Sequence, residues 1–284
     1  MIRILISADM EGISGVINWD QTTPGHPEYE RFRRIMTADV NAAIKGAFQA
    51  GAEDVLVSDA HNLANNILIE ELDSRARLNS GYPSPMGMLQ GVDNGVTGAM
   101  LVGYHARAGT ANAVLDHTWA SKVMNLWING QLAGEIGLNS AVCGHFNVPV
   151  IMVSGDQSAT SEAADLLPNV EIAVVKQARG RSAAECLPLE TAHLRIREAA
   201  ARAVSKLRID ASAPSYRTDP PVLQPYRVEP PILLNVEFHT AIMADRVSLI
   251  PGVDRLDGRR IQYTAENMLI AYRFFRSAVI LAGD

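Results

Sequence analysis

Asp9 and Glu11 stand one residue apart at the end of the apolar run Ile4-Leu5-Ile6-Ser7-Ala8. In extended backbone that spacing sends both side chains to the same side. Two carboxylates held together repel unless a cation or a proton lies between them. Gly12 and Gly15 let the chain turn tightly just beyond. Three more residues of ligand type follow other short apolar stretches: His61 after Val55–Asp59, His105 after Ala99–Tyr104, and Glu135 beyond the turn at Asn129-Gly130. Each alone reads as an ordinary polar loop residue. Together they are three carboxylates and two imidazoles from four separated segments, and a metal centre is the chemistry that needs such convergence. Five ligands exceed the three usual for one catalytic zinc, and a bridging carboxylate joins two metals about 3.5–4 Å apart in hydrolytic sites. Two divalent ions against three carboxylates leave one positive charge for a hydroxide to neutralise, which favours hydrolysis. A nitrogen and oxygen donor set without thiolate points to two zinc ions per subunit, with manganese or cobalt as substitutes.

His117, twelve residues beyond His105, is expected near the metals without binding them, free to move a proton at neutral pH. Asp59 is expected to orient the His61 ring from behind, as carboxylates do for metal-bound imidazoles. Asp116 is expected to extend the protonated range of its neighbour His117. Asn62, Arg107 and Asn139 lie close to the ligand segments and are candidates for contacting a substrate. The remaining histidines, at positions 26, 145, 193 and 239, have no companion ligands and read as structural.

These residues need a scaffold of strand ends. Residues 2–8 read as a buried strand, and from Pro27 to Ala50 the apolar residues Phe32, Ile35, Met36, Val40, Ala43 and Phe48 recur at helical spacing. Gly51 ends that helix, and residues 54–59 form the next strand, which gives the alternation of a parallel sheet. Residues 99–104, 148–155 and 171–177 add strands, the last two separated by a helix over 158–167. Residues 122–135 differ, because Asn129-Gly130 between two apolar arms is the favoured two-residue hairpin turn. From Ala213 to Pro231 six prolines interrupt any regular element. The expected organisation is a metal-binding catalytic α/β domain over 1–212, a proline-rich connection over 213–231, and a smaller C-terminal α/β unit over 232–284. That last unit reads as a strand at 232–238, a short helix near 239–245, a strand at 259–265 and a helix from 266 to about 281.

The chain has 284 residues and a formal net charge of −6, which argues against nucleic acid as a partner, since phosphate affinity is built on clustered Lys and Arg. No apolar run is long enough to span a bilayer, and Asp9 cuts the first one short of a signal-peptide core. Cys143 and Cys186 fit no finger spacing and read as reduced thiols, so the cytoplasm is the expected location. There is no G-x-S-x-G elbow, no phosphate-binding loop and no H-E-x-x-H helix.

Ser7–Gly12 (S-A-D-M-E-G), Ser58–Asn62 (S-D-A-H-N), Gly103–Ala106 (G-Y-H-A), His117-Thr118 and Gly134–Asn139 (G-E-I-G-L-N) resemble, in order, the motifs of the DppA-type D-aminopeptidases. The resemblance continues through Val148–Asp156 and Val174–Gln177. It implies a dinuclear zinc centre held by Asp9, Glu11, His61, His105 and Glu135, with His117 as the counterpart of the proposed catalytic histidine. It further implies hydrolysis of the N-terminal amide of short peptides with D-amino acid termini, and a ring-like homodecamer whose chamber encloses the sites. A metal-dependent amidase or esterase acting on a non-peptide, and a catalytically silent peptide-binding ring, are the alternative readings.

Overall fold

The computed structural model describes residues 1–212 and 223–283. The proline-rich boundary expected between Ala213 and Pro231 therefore lies, over residues 213–222, outside the described residues. In chain order the elements are β1 (Arg3–Ala8), α1 (Tyr29–Gln49), β2 (Asp54–Asp59), β3 (Ala76–Asn79), β4 (Gly98–Val102), β5 (Val123–Ile128), β6 (Gln131–Ala133), α2 (Glu135–His145), β7 (Val150–Asp156), α3 (Gln157–Leu166), β8 (Glu171–Gly180), β9 (Ala183–Cys186), α4 (Leu189–Ser212), β10 (Ile232–Phe238), α5 (Ala241–Val247), β11 (Val253–Arg255), β12 (Arg260–Ala265) and α6 (Met268–Ala282).

The larger sheet has the order β3-β2-β1-β4-β7-β8-β9 and is parallel except for the β8–β9 pair. Its central strands β2, β1, β4 and β7 are almost wholly buried because helices or further structure cover both faces. Ile4, Ile6, Val55, Val57, Met100 and Val102 share one core with α1 and α4. Leu5, Leu56, Ala99 and Leu101 share the other with α2, α6 and the second sheet. Strand order reverses at β1, which pairs with β2 on one side and β4 on the other. A crevice opens at such a switch point beyond the carboxyl ends of the strands. In register, Ala8 lies opposite both Asp59 and Val102, so Asp9, His61 and His105 all fall within three residues of a strand end on this one rim.

The second sheet is antiparallel, in the order β11-β12-β10-β5-β6. Asn129 and Gly130 both have positive φ, 49° and 82°, the backbone of the two-residue turn expected between β5 and β6. β10 alternates buried Ile232, Leu234, Val236 and Phe238 with half-buried residues. It pairs with β12 on one side and with β5 on the other, so the hairpin at 123–133 and the segment after 232 build one sheet.

Helices α2 and α4 were not foreseen from the sequence. In α2 every residue from Glu135 to Gly144 is buried, so there is no polar face against which to read a periodicity. In α4 the buried positions Ala192, Ile196, Ala199, Ala200, Ala203 and Val204 do keep helical spacing, but a face made mostly of alanine carries little hydrophobic contrast. Among the described residues no helix is long and apolar enough to cross a membrane.

Candidate metal centre

Close approach of two strand ends builds the site. The Asp9 amide donates to the Val102 carbonyl at 2.9 Å, and the Gly12 amide to the Gly103 carbonyl at 2.8 Å. A Cβ at Gly12 would lie 1.9 Å from the Tyr104 carbonyl oxygen, and one at Gly103, where φ is +74°, 2.3 Å from that of Asp9. Only glycine permits this approach. Beyond Glu11 the chain winds around the ammonium of Lys176, which donates to the carbonyls of Glu11, Ile13 and Val16 at 2.7, 2.9 and 2.8 Å. Burial pushes Lys176 down to about 8, so it is still mainly charged at neutral pH.

The structure brings all six residues singled out from the sequence into one cluster. His61 Nδ1 lies 3.1 Å from Glu11 Oε2 and 3.3 Å from Asp9 Oδ1. His105 Nε2 lies 3.4 Å from Asp9 Oδ2 and 3.2 Å from Glu135 Oε1, and His117 Nε2 is 3.7 Å from that same Glu135 oxygen. Asp9 thus presents one oxygen to each of two donor groups. Ligand atoms of Asp9, Glu11 and His105 lie within 4.8 Å of one another, as do those of His105, His117 and Glu135. Asp9, Glu11, His61, His105 and Glu135 are only 1–8 % exposed.

Two observations fit this cluster to cations. Glu11 Oε2 and His105 Nε2 are buried with no hydrogen-bond partner, although charged neighbours lie within 3.1–3.4 Å. Donor atoms this close yet out of line with one another converge on a shared point, as ligands do. The electrostatics agree. Burial alone would raise the Asp9 carboxyl, but the imidazoles of His105 and His61 hold it well below the ordinary range. Burial would likewise depress both imidazoles, and the carboxylates, Glu11 for His61 and Glu135 for His105 foremost, lift them well above it. Three buried carboxylates demand positive charge, and protons or metal ions can supply it.

Each imidazole has its rear nitrogen committed to a carbonyl, which can only accept and therefore fixes the N–H there. His61 Nε2 donates to Thr22 at 2.9 Å, His105 Nδ1 to Ala106 at 3.0 Å and His117 Nδ1 to Leu115 at 2.8 Å. The other nitrogen of each ring faces the cluster, and for His61 and His105 it offers a lone pair once a metal ion takes the place of its proton. This corrects the expectation for Asp59: its oxygens accept from the amides of Asn66 and Ile67 and from the Asn66 side chain, whose Nδ2 also reaches the His61 carbonyl. Asp59 fastens the loop, and the Thr22 carbonyl holds the ring.

The expectation for Asp116 is also overturned. Its carboxylate accepts from the Gly109 amide at 2.7 Å and pairs with Arg181 at 2.8 Å, and the His117 imidazole is pushed down, by burial first and then by the charge of His105. His117 stacks on His105 and meets the edge of Trp19 at 5.2 Å. Leu115 and Trp119, on either side of it, have φ of 50° and 66°, a strained left-handed backbone. The amide of Trp119 donates to Glu135 Oε1 at 2.7 Å. Of the candidate substrate contacts, Asn62 lines the cavity. Arg107 is engaged at Glu162, and Asn139 is fully buried against Tyr104 and Met88.

Above the cluster lies a cavity of about 540 Å³, within the range that encloses a small ligand. Asp9, Glu11, His61, His117 and Glu135 form its floor, and Trp19, Tyr82, Trp119 and Arg276 are among its walls. Sequence reasoning missed Thr22, Leu115 and Trp119, which act through backbone groups that every residue type carries. Arg276, contributed by α6, had no motif to mark it.

The profile of the peptidase M55 family, described as D-aminopeptidase, matches residues 2–277. A D-aminopeptidase of Bacillus subtilis (strain 168) is 38% identical over 274 residues, covering 96% of this chain and 94% of that protein. Among solved structures, the Zn-dependent D-aminopeptidase DppA from Bacillus subtilis, described as a self-compartmentalizing protease, superposes with a TM-score of 0.92 at 36% identity. That match covers 99% of this chain and 98% of the other.

Proposed function

The chain belongs to the peptidase M55 family of D-aminopeptidases, and on that premise we propose that it is a zinc-dependent hydrolase that removes D-amino acids from the N-terminus of short peptides at a two-ion centre. The observation that carries the reading is Asp9, whose two oxygens face two different donor groups, Glu11 with His61 and His105 with Glu135. A carboxylate in that position can bridge two ions. The chemistry zinc supplies when bound there is polarisation of the scissile carbonyl and a lowered pKa for the attacking water.

The chain's own residues do the rest. Because Nδ1 of His117 is spent on the Leu115 carbonyl, its Nε2 is the basic atom. Kept neutral chiefly by its burial, it can take the proton of the attacking water and return it to the leaving amine. Stacking on His105 and the Trp19 edge hold the ring at one angle, which limits the entropy lost on reaching the reactive geometry. The Trp119 amide keeps Glu135 Oε1 in place. The apolar walls of Trp19 and Trp119 exclude water from a peptide once it is seated.

Assembly into a closed homo-oligomer, a ring-like decamer, belongs to the same proposal. Exposed Ile242 on α5, Leu249 just beyond its end, and Ile280 and Leu281 on α6 support it, since exposed large apolar side chains favour burial. Sedimentation of the purified protein tests it, and a monomer at micromolar concentration would refute it. For the activity, zinc-loaded protein is assayed on D-alanine and L-alanine p-nitroanilides with the metal content measured in parallel. Two zinc ions per chain and faster release from the D-substrate are expected. Equal rates would remove the stereochemical part of the reading, and one zinc per chain the two-ion part.

A further inference from the structure

One wall of the cavity carries a cation that the reaction itself does not use. Arg276 lines the cavity that holds the metal cluster, half-buried on the last helix. Its Nη1 and Nη2 donate to the carbonyls of Pro85 and Ser84, each at 2.8 Å, and its Cζ lies 5.5 Å from the ring centroid of Tyr272. These contacts fix the plane of the guanidinium but bring no negative charge. Among the described residues no carboxylate pairs with it, and its remaining N–H groups have no protein acceptor. The local backbone makes room for it, because a Cβ at Gly87, where φ is +53°, would lie 3.0 Å from the Arg276 Cζ.

The arginine is joined to the cluster by one continuous wall. Trp119 donates its amide to Glu135, and its indole meets the ring of Tyr272 edge-on at 5.9 Å. Tyr272 in turn lies under the guanidinium. A ligand spanning this cavity therefore has metal ligands at one end and an oriented, unpaired guanidinium elsewhere on its wall. A guanidinium held in this way is matched in shape and charge to a carboxylate.

We propose that Arg276 binds the C-terminal carboxylate of the substrate, so that the enzyme selects short peptides with a free carboxyl end. This rests on the aminopeptidase reading above, because it assumes a peptide whose amino end lies at the cluster. It makes Arg276 a specificity residue that discriminates a peptide acid from its amide and from a longer chain whose carboxyl end cannot reach the guanidinium.

The test uses the zinc-loaded full-length protein on D-alanylglycylglycine and on the C-terminal carboxamide of the same peptide. The wild type is expected to favour the acid in kcat/KM by about 10- to 100-fold, the range of a hydrogen-bonded charge pair, with the difference carried by KM. In Arg276→Gln the ratio of acid to amide falls close to one, and Arg276→Lys keeps part of it. A purely structural role for the side chain would lower both substrates by one factor and leave the ratio standing, which overturns the proposal, as does a wild-type ratio near one with both peptides cleaved. If the zinc-loaded wild type cleaves neither peptide, the aminopeptidase reading itself fails and takes this proposal with it.

Discussion

The imidazole of His117 lies flat against that of His105, with ring centroids 3.8 Å apart and planes inclined by 14°. A charge on one ring opposes a charge on the other, and His105 is the ring that faces Asp9 and Glu135. His117 is accordingly held below the ordinary histidine value of 6.5, burial being the larger cause. Protonation removes the lone pair that makes it a base, so kcat/KM should be constant around neutrality and fall as the pH drops through this depressed value. His117→Ala should lower kcat/KM by about 100- to 10,000-fold and abolish that acid limb while the zinc content is unchanged. Loss of zinc from the variant would instead make His117 a ligand.

Asp9 and Glu11 differ in how many donor groups they serve. Asp9→Asn should reduce retention of both ions, whereas Glu11→Gln should release chiefly one, because only Asp9 faces both His61 and His105. Zinc per chain after dialysis measures this directly. An Asp9→Asn protein that keeps its full complement of zinc would remove the bridging role.

Asp116 is bound to the Gly109 amide and Arg181 rather than to its neighbour's ring. Asp116→Ala should therefore cost about 1–3 kcal/mol in denaturant unfolding, the range for a lost charged hydrogen bond, and leave the acid limb of the pH–rate profile where it was. A limb that moves to lower pH in this variant would restore the electrostatic coupling that the geometry denies.

Lys176 satisfies three carbonyls in the segment that follows Glu11. Lys176→Met would strand those acceptors in the core, at a cost of about 3 kcal/mol or more given 1–3 kcal/mol for each. Because Glu11 is one of the three, the variant should also lose zinc more readily than the wild type at a temperature where both are folded. Wild-type zinc retention in a folded Lys176→Met protein would confine the residue to a stabilising role.

The positions of Asp9, Glu11, His61 and His105 could be read without a structure because each depends on a local pattern. A short apolar run with a polar break marks the end of a buried strand, and parallel strands end on a common rim. The β5–β6 hairpin was legible for the same kind of reason, since Asn129-Gly130 can adopt two successive positive φ values that few other pairs tolerate. Helix α2 was not legible, although its first residue is Glu135, because a helix buried all round shows no stripe.

Sequence alone thus determined which side chains would meet, through strand periodicity, turn chemistry and an ordered set of motifs. Tertiary structure decided how they face one another and what else enters the site. The carbonyls of Thr22, Ala106 and Leu115 fix which nitrogen of His61, His105 and His117 is free, the Trp119 amide holds Glu135, and α6 delivers Arg276 to the cavity wall. β10 closes on β5 across more than a hundred residues of chain in the same way. Backbone groups are identical at every position and long-range pairings have no local signature, so only the packing of distant segments could select these partners.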